Sequence, residues 1–376
     1  MMAWATGRRI RPFLNVAVTI AVVVFLAACA AAPGESAGGA SGWTEVTAAA
    51  AFAGVSLLDV SAFGSGFVAV GNPPDAGGLH YGGAFTSADG SSWTASSTAP
   101  FKGTTANVVG NVSEGLLTLG SSCGSECFGF KSWLSADGAT WSGPVSPPDN
   151  TSRPTGFAEQ GTTIVAVATE LVDPALNHYQ GSVYLSHDAA SWTAGTGADA
   201  FDHTGLAGVA SNGTGLVIVG SNLHEDGTRD GAAWTSKDGS TWATSTDDGS
   251  FKGALLQAVV AGSSGYLAVG SVAADGAVWA SPDGTSWTRV DGSAFKSSPL
   301  IEVAASASGY LAIGKDANGA AAWTSKDGKA WQAVAGISGA ADARFIAVAI
   351  GQSRSIIIGQ PLGTAPTGLA WLGPLP

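Results

Sequence analysis

Six copies of one short pattern, Ser-x-Asp-Gly-x-x-Trp, punctuate the chain at Ser87–Trp93, Ser135–Trp141, Ser186–Trp192, Ser236–Trp242, Ser281–Trp287 and Ser325–Trp331, with Ala189 in the glycine position of the third. The closing tryptophans lie 44 to 51 residues apart. That period accommodates the four antiparallel strands of one propeller blade and is too long for a leucine-rich or ankyrin unit. Two residues before each serine stands an aromatic, Phe85, Trp133, Tyr184, Trp234, Trp279 and Trp323, with Trp371 continuing the series. Further upstream a short apolar strand recurs, for example Phe67–Gly71, Leu216–Gly220 and Tyr310–Gly314, whose branched and aromatic residues suit a buried strand. Small-residue hairpins such as Gly64-Ser65-Gly66 join it to a first strand ending in Val60, Val109, Phe157, Val209, Val259, Val303 or Val348.

Seven first strands thus stand against six motifs, and the termini resolve the mismatch. The residues after Trp331 supply three strands, closing near Trp371, without a motif tryptophan of their own. Gly42-Trp43-Thr44-Glu45-Val46 matches the strand that follows every other motif. The sequence therefore predicts an all-β, seven-bladed β-propeller over residues 42–376, in which the N-terminal strand completes the last blade and removes an open sheet edge. Twelve of the thirteen tryptophans acquire a repeat position, where they are expected to fill wedges between blades rather than form a sugar-stacking platform. In each motif turn the aspartate (Asp89, Asp137, Asp188, Asp238, Asp283, Asp327) is expected to accept backbone N–H bonds while the glycine supplies a positive φ. Alanine in that conformation costs about 1 kcal/mol, so the turn around Ala189 is expected to be the loosest, or differently shaped.

The motif resembles the Asp-box, or BNR, repeat of sialidase-like β-propellers, whose usual form is Ser-x-Asp-x-Gly-x-Thr-Trp; here the loop is one residue shorter. Carried by repetition across residues 42–376, the resemblance implies the propeller fold, with the boxes between third and fourth strands, away from the active face. It also implies what a catalytic member needs: three arginines on a sugar carboxylate, a tyrosine nucleophile with a glutamate, and an aspartate acid/base. After export only Arg153, Arg229, Arg289, Arg344 and Arg354 would remain, and the Phe-Arg-Ile-Pro element of the first blade is missing. Arg289 follows a motif tryptophan in an outer strand, and Arg354 falls in a hairpin of the opposite face. The family's catalytic residues are not matched, and no catalytic residue is assigned.

Residues 1–28 read as an export signal, with Arg8, Arg9 and Arg11 ahead of the apolar stretch Phe13–Leu26, which is short for a membrane span. Leu26-Ala27-Ala28-Cys29 resembles the lipobox of bacterial lipoproteins, which implies a lipidated Cys29 as the new N-terminus. Residues 29–41 then form a flexible Ala/Gly/Ser tether, and the acyl chains hold the protein to the extracytoplasmic side of the cell membrane, whether export uses the general or the twin-arginine route. In that compartment Cys123 and Cys127 are expected to form a local disulfide; a metal site there would need further ligands, and none is near in sequence. Loss of residues 1–28 takes the formal charge from −12 to −15, which disfavours nucleic acid and anionic lipid surfaces as partners.

Function is expected on the face that carries the loops between second and third strands. These are short in blades five and six, Ser271–Asp275 and Lys315–Asn318, and long in blades one to four, Asn72–Gly82, Ser121–Gly129, Thr169–Gln180 and Ser221–Asp230. Insertions gathered on one face mark the binding face of a repeat protein. The candidate residues are Asp75, His80, Tyr81, His178, Tyr179, His224, Glu225 and Arg229, with His203 in a nearby inter-blade loop. No histidine pair has the close spacing of a metal motif, so neither metal nor cofactor is assigned. Asp59 and Glu302 sit at equivalent offsets on innermost strands two blades apart around the ring; they are read as solvated channel acids, with a glycosidase carboxylate pair as the alternative. The expected function is a monomeric, lipid-anchored, non-catalytic propeller that binds a protein or a cell-wall or extracellular glycan. A divergent glycoside hydrolase and an assembly or scaffold factor are the alternatives.

Overall fold

The computed structural model describes residues 42–376 apart from 47–49, 75–80, 125–126, 148–150, 174–177, 196–197, 225, 291 and 364–366. Seven antiparallel sheets follow one another as the blades of a β-propeller. Blade one runs outward from the channel through Ser56–Phe63, Gly66–Asn72, Gly83–Ser87 and Thr94–Ala95. The inner strands of blades two to seven are Val108–Val112, Arg153–Gln160, Thr204–Ser211, Ala254–Gly262, Leu300–Ser306 and Ala343–Ile350. Blade seven is closed as the sequence predicts: Thr44–Val46 pairs antiparallel with Leu369–Gly373, placing Glu45 opposite Trp371. Blade five carries an addition not expected from the repeat, since Thr246–Asp247 pairs parallel to its outer strand Ser286–Arg289.

Second strands are sandwiched between neighbouring blades, which is why they read as continuous apolar runs instead of alternating ones; Gly66–Asn72 and Leu216–Leu223 are buried along almost their whole length. The repeat glycine near the end of this strand is a point of backbone contact: a Cβ on Gly120 would lie 1.8 Å from the Thr105 carbonyl oxygen. Around each blade a cluster of aromatics fills the wedge. Phe101, in a short 3-10 turn ahead of the second inner strand, packs on Trp133 and on the box tryptophan Trp141 at centroid distances of 5.0 and 5.9 Å. Phe52, Phe201, Phe251 and Phe295 repeat this in blades one, four, five and six. The connection into blade three has no such phenylalanine, and Phe130 of blade two takes its place against Tyr184 and Trp192.

The Ser-x-Asp boxes are self-contained turns. In the first, Gly90 N–H donates to Ser87 Oγ at 2.8 Å, Ser91 and Ser92 N–H donate to Asp89 Oδ1 at 2.8 and 3.0 Å, and Trp93 Nε1–H donates to the Gly90 carbonyl at 3.0 Å. Donors within the turn hold the box carboxyls below the ordinary aspartate range, chiefly the Ser91 and Thr285 hydroxyls at Asp89 and Asp283 and backbone N–H groups at the other four. Glycine is required twice over, as Gly284 shows: its φ is +84°, and a Cβ would stand 2.3 Å from Val217 Cγ2 of the preceding blade. The Ala189 turn is not looser. Ala189 keeps a φ of +55° and its turn the same bonds to Asp188, but the Trp192 indole donates to buried Ser132 Oγ at 3.0 Å in place of the turn carbonyl. A small polar Ser132 on blade two thus accompanies the alanine.

Candidate functional site

The long connections of blades two, three and four are largely strand and not loop. Gly115–Cys123 pairs with Cys127–Ser135, Thr163–Asp173 with His178–Ser186, and Leu216–Leu223 with Arg229–Ser236, so cross-strand bonding extends each hairpin beyond the disc. The Cys123–Cys127 disulfide is formed at the tip of the first of these. Isolated bridges Tyr81 to Lys102 and Gln180 to Asp202 then tie hairpins to the segments entering the next blade, and Thr104 to Ser122 ties the blade-two hairpin to the segment entering that same blade. The result is a stiff rim around the channel mouth, built from backbone pairing.

Inside the rim of blades two to five lies a cavity of about 500 Å³ whose walls include Asn107, Thr155, Tyr179, Ser221, Arg229 and Gln257. The Arg229 guanidinium lies over the Tyr179 ring, 5.6 Å from its centroid, a cation–π contact between blades four and three. Ser221 is 7% exposed and, among the described residues, its Oγ has no hydrogen-bond partner, as is also true of Ser121 at the equivalent position of blade two. A buried hydroxyl left unpaired costs stability unless something outside the fold satisfies it. Leu206, Leu223 and Leu256 supply apolar wall, so the cavity combines an aromatic face, a cation, amides and hydroxyls around a greasy floor.

Of the residues singled out from sequence, Tyr179 and Arg229 meet here. His224 Nε2 instead donates to the Asp230 carboxylate of its own hairpin at 3.0 Å. Tyr81 is half-buried against Lys102 on blade one, apart from the cavity. Asp75, His80, Glu225 and Cys29 lie outside the described residues. His178 contacts a residue that sequence reasoning passed over: its Nε2 is 2.7 Å from Asp202 Oδ1, and its ring stacks on His203 with centroids 3.9 Å apart and planes 6° from parallel. The hydrogen bond from His178 holds the Asp202 carboxyl below its usual range. The signal for this was present in a second repeat: the turns entering blades two and five read Phe101-Lys102-Gly103 and Phe251-Lys252-Gly253, while the turn entering blade four reads Phe201-Asp202-His203. His203 has a φ of +54°, close to the +72° of Gly103 and +66° of Gly253, and so bears about 1 kcal/mol of strain that glycine avoids.

Deeper in, the cavity runs into the channel, where a space of about 300 Å³ is walled by Asp59, Val108, Gly156, Gly208, Ala258 and Glu302. Each inner strand but the second shows a bulge at this level, and Asp59, Gly156, Gly208, Ala258, Glu302 and Ala347 are the residues just past it. The two acids therefore flank small Ala347 and look across at two glycines. Both keep a solvent-facing edge but are otherwise surrounded by protein. Burial pushes Asp59 up to about 7 against the pull of the Val60 and Val109 N–H groups, each 2.8 Å from one of its oxygens. Burial, and then the charge of Asp59, raises Glu302 well above its ordinary range. The expectation of two independent solvated acids is corrected: they are an interacting pair, with the proton favoured on Glu302 because the backbone donors favour charge on Asp59.

No arginine lines this channel, and among those present Arg153 stacks on exposed Phe128 at 4.7 Å while Arg344 bonds Gln360. No family model and no curated protein sequence matches the chain. Among solved structures it is similar to YCF48 bound to D1 peptide, at 14% identity, covering 89% of this chain and 96% of that one, with a TM-score of 0.59. It is also similar to Trypanosoma rangeli sialidase in complex with sialic acid, at 14% identity over 75% of this chain and 55% of that one, TM-score 0.47. Penicillium chrysogenum alpha-L-arabinanase complexed with arabinobiose gives 10% identity over 89% and 98%, also at 0.47. At 14% identity the likeness to YCF48 is one of fold alone, and the fold it supports is the β-propeller.

Proposed function

We propose that the chain is an extracytoplasmic lipoprotein, tethered through Cys29, whose propeller binds a protein or glycan partner at the channel mouth without catalysis. The cavity walled by Tyr179, Arg229 and unpaired Ser221 carries this reading, since it offers a ring to stack on, a cation and a hydroxyl lacking an internal partner. YCF48 holds a D1 peptide in its own structure, and peptides are accordingly the first partner class to test, ahead of cell-wall glycans. Purified protein screened against peptide libraries and glycan arrays should yield ligands whose binding falls at least tenfold on Tyr179→Ala or Arg229→Ala. A ligand set indifferent to both substitutions would refute the site.

The Asp59–Glu302 pair favours a second reading as a divergent glycoside hydrolase, because one carboxylic acid beside one carboxylate is the equipment of glycosidic cleavage. Hydrolysis of any polysaccharide or aryl glycoside that is abolished by Glu302→Gln would establish that reading over the first.

A further inference from the structure

We propose that His178, His203 and Asp202 form a binding site for a divalent transition metal of the zinc class on the rim between blades three and four. The inference goes beyond the partner-binding reading and does not depend on it. One ligand atom from each of the three side chains lies within 4.8 Å of the others, and a zinc ion bonded at about 2.0–2.2 Å to each holds its ligand atoms up to about 4 Å apart. The ligand atoms themselves therefore need to shift by less than about 1 Å, in addition to the reorientation of the rings. His178 Nε2 is already 2.7 Å from Asp202 Oδ1, and His203 Nε2 is 3.9 Å from Asp202 Oδ2. The parallel stack must open so that both in-plane lone pairs converge. His203 has the freedom to tilt, with half of its side chain exposed.

Three independent features build the cluster. The bridge between Gln180 and Asp202 fixes the hairpin of blade three against the turn entering blade four, and His178, two residues from Gln180 along the strand, shares its face. The Asp202 carboxylate is oriented by the His203 backbone N–H at 3.0 Å, as an outer-sphere donor orients a ligand. Most telling is the departure from the repeat, where Lys-Gly at two sister turns becomes Asp-His. That change replaces a cation by an anion and puts an imidazole at a left-handed position that glycine fills in the turns entering blades one, two and five and Ser297, with a φ of +54°, fills in the turn entering blade six. The strain itself is shared with Ser297; what is particular to this copy is that the strained residue brings two imidazoles and a carboxylate together, which points to a site-specific role. Two nitrogens and one carboxylate oxygen suit zinc, nickel or copper and not calcium or magnesium, which take oxygen shells. The remaining coordination positions face solvent.

The test uses the full untagged chain in detergent, titrated with ZnCl2 by calorimetry and with CoCl2 by visible absorption. One equivalent of Zn2+ should bind at neutral pH, Co2+ should give a d–d band, and excess Mg2+ or Ca2+ should not compete. His203→Gly restores the residue the repeat uses, so it should fold at least as stably as the parent while binding Zn2+ ten- to a hundredfold more weakly. His178→Ala should weaken it similarly, and His224→Ala, which alters the other rim histidine, should leave it unchanged. Absence of stoichiometric Zn2+ binding by the parent chain, or binding retained in folded His203→Gly, would overturn the proposal.

Discussion

The channel pair makes a prediction about stability that can be read without knowing any ligand. A carboxyl whose pKa is raised on folding keeps its proton in the native state after the unfolded chain has lost it. Stability then falls as pH rises, beginning above the unfolded value and ending at the folded one. For Asp59 that window runs from 3.8 to about 7, and for Glu302 it opens at 4.5 and extends well above. Each proton retained on folding costs about 1.4 kcal/mol per pH unit, so between pH 5 and 7 Glu302 would cost at most about 2.7 kcal/mol. Its solvent-facing edge lowers this to about 1–2 kcal/mol. Glu302→Gln is the suitable perturbation, because glutamine mimics the protonated acid and, among the described residues, no protein donor bonds the Glu302 carboxyl. Asp59→Asn is unsuitable, since it would leave the Val60 or Val109 N–H without an acceptor. For about 335 residues the unfolding entropy is about 0.7 kcal/mol per degree, so the variant should gain about 1.5–3 °C in Tm over the parent on going from pH 5 to pH 7. Calorimetric melting of both proteins at the two pH values measures this double difference, in which titrating groups that do not interact with Glu302 cancel and any response of Asp59 belongs to the pair under test. A value indistinguishable from zero, or a loss, would refute the coupled and buried pair.

The box turns and the ring closure predict further outcomes. Gly284→Ala should destabilise by about 2–4 kcal/mol from its left-handed backbone and the clash with Val217, whereas Ala189→Gly should change stability by under about 1 kcal/mol; chemical denaturation distinguishes them. Trp43→Ala should cost about 3–5 kcal/mol, since Trp43 is buried against Gly373 where the last blade closes. Replacing Cys123 and Cys127 by serine should cost about 2 kcal/mol or less, because so short a loop gives little closure entropy. Cys29→Ser should shift the protein from the membrane to the soluble extracytoplasmic fraction, as fractionation and blotting would show.

The fold was legible because each blade writes its own local signals. A box turn is specified within seven residues, so Asp89 and its equivalents could be assigned from spacing alone, and the unmatched Trp43 revealed the closure. Hairpin extension was not legible: Thr169–Gln180 reads as a loop because its polar residues stand beyond the disc, where pairing is backbone to backbone and leaves no apolar pattern. The candidate site was legible only by face. Tyr179 and Arg229 could be placed on one rim, but their contact joins different blades, and the pairing of Asp202 with His178 depends on a bridge that side-chain pattern does not encode.

Departures from the repeat divide the molecule into two regimes. Where a substitution is compensated inside the fold, as when Ala189 is matched by Ser132 taking the Trp192 indole proton, the local geometry is preserved and nothing is left unsatisfied. Phe130 standing in for a missing turn phenylalanine belongs to the same class. On the channel and rim the departures remain uncompensated. Asp59 and Glu302 replace the small or apolar residues of the other blades and raise each other's cost of ionisation, and His203 holds a left-handed conformation that glycine fills at three sister turns. All lie on or below the face opposite the boxes. A propeller selected for stability alone would relieve these strains with the residues its sister blades already carry, so their concentration around one opening supports the proposed binding face independently of any resemblance to sialidase boxes.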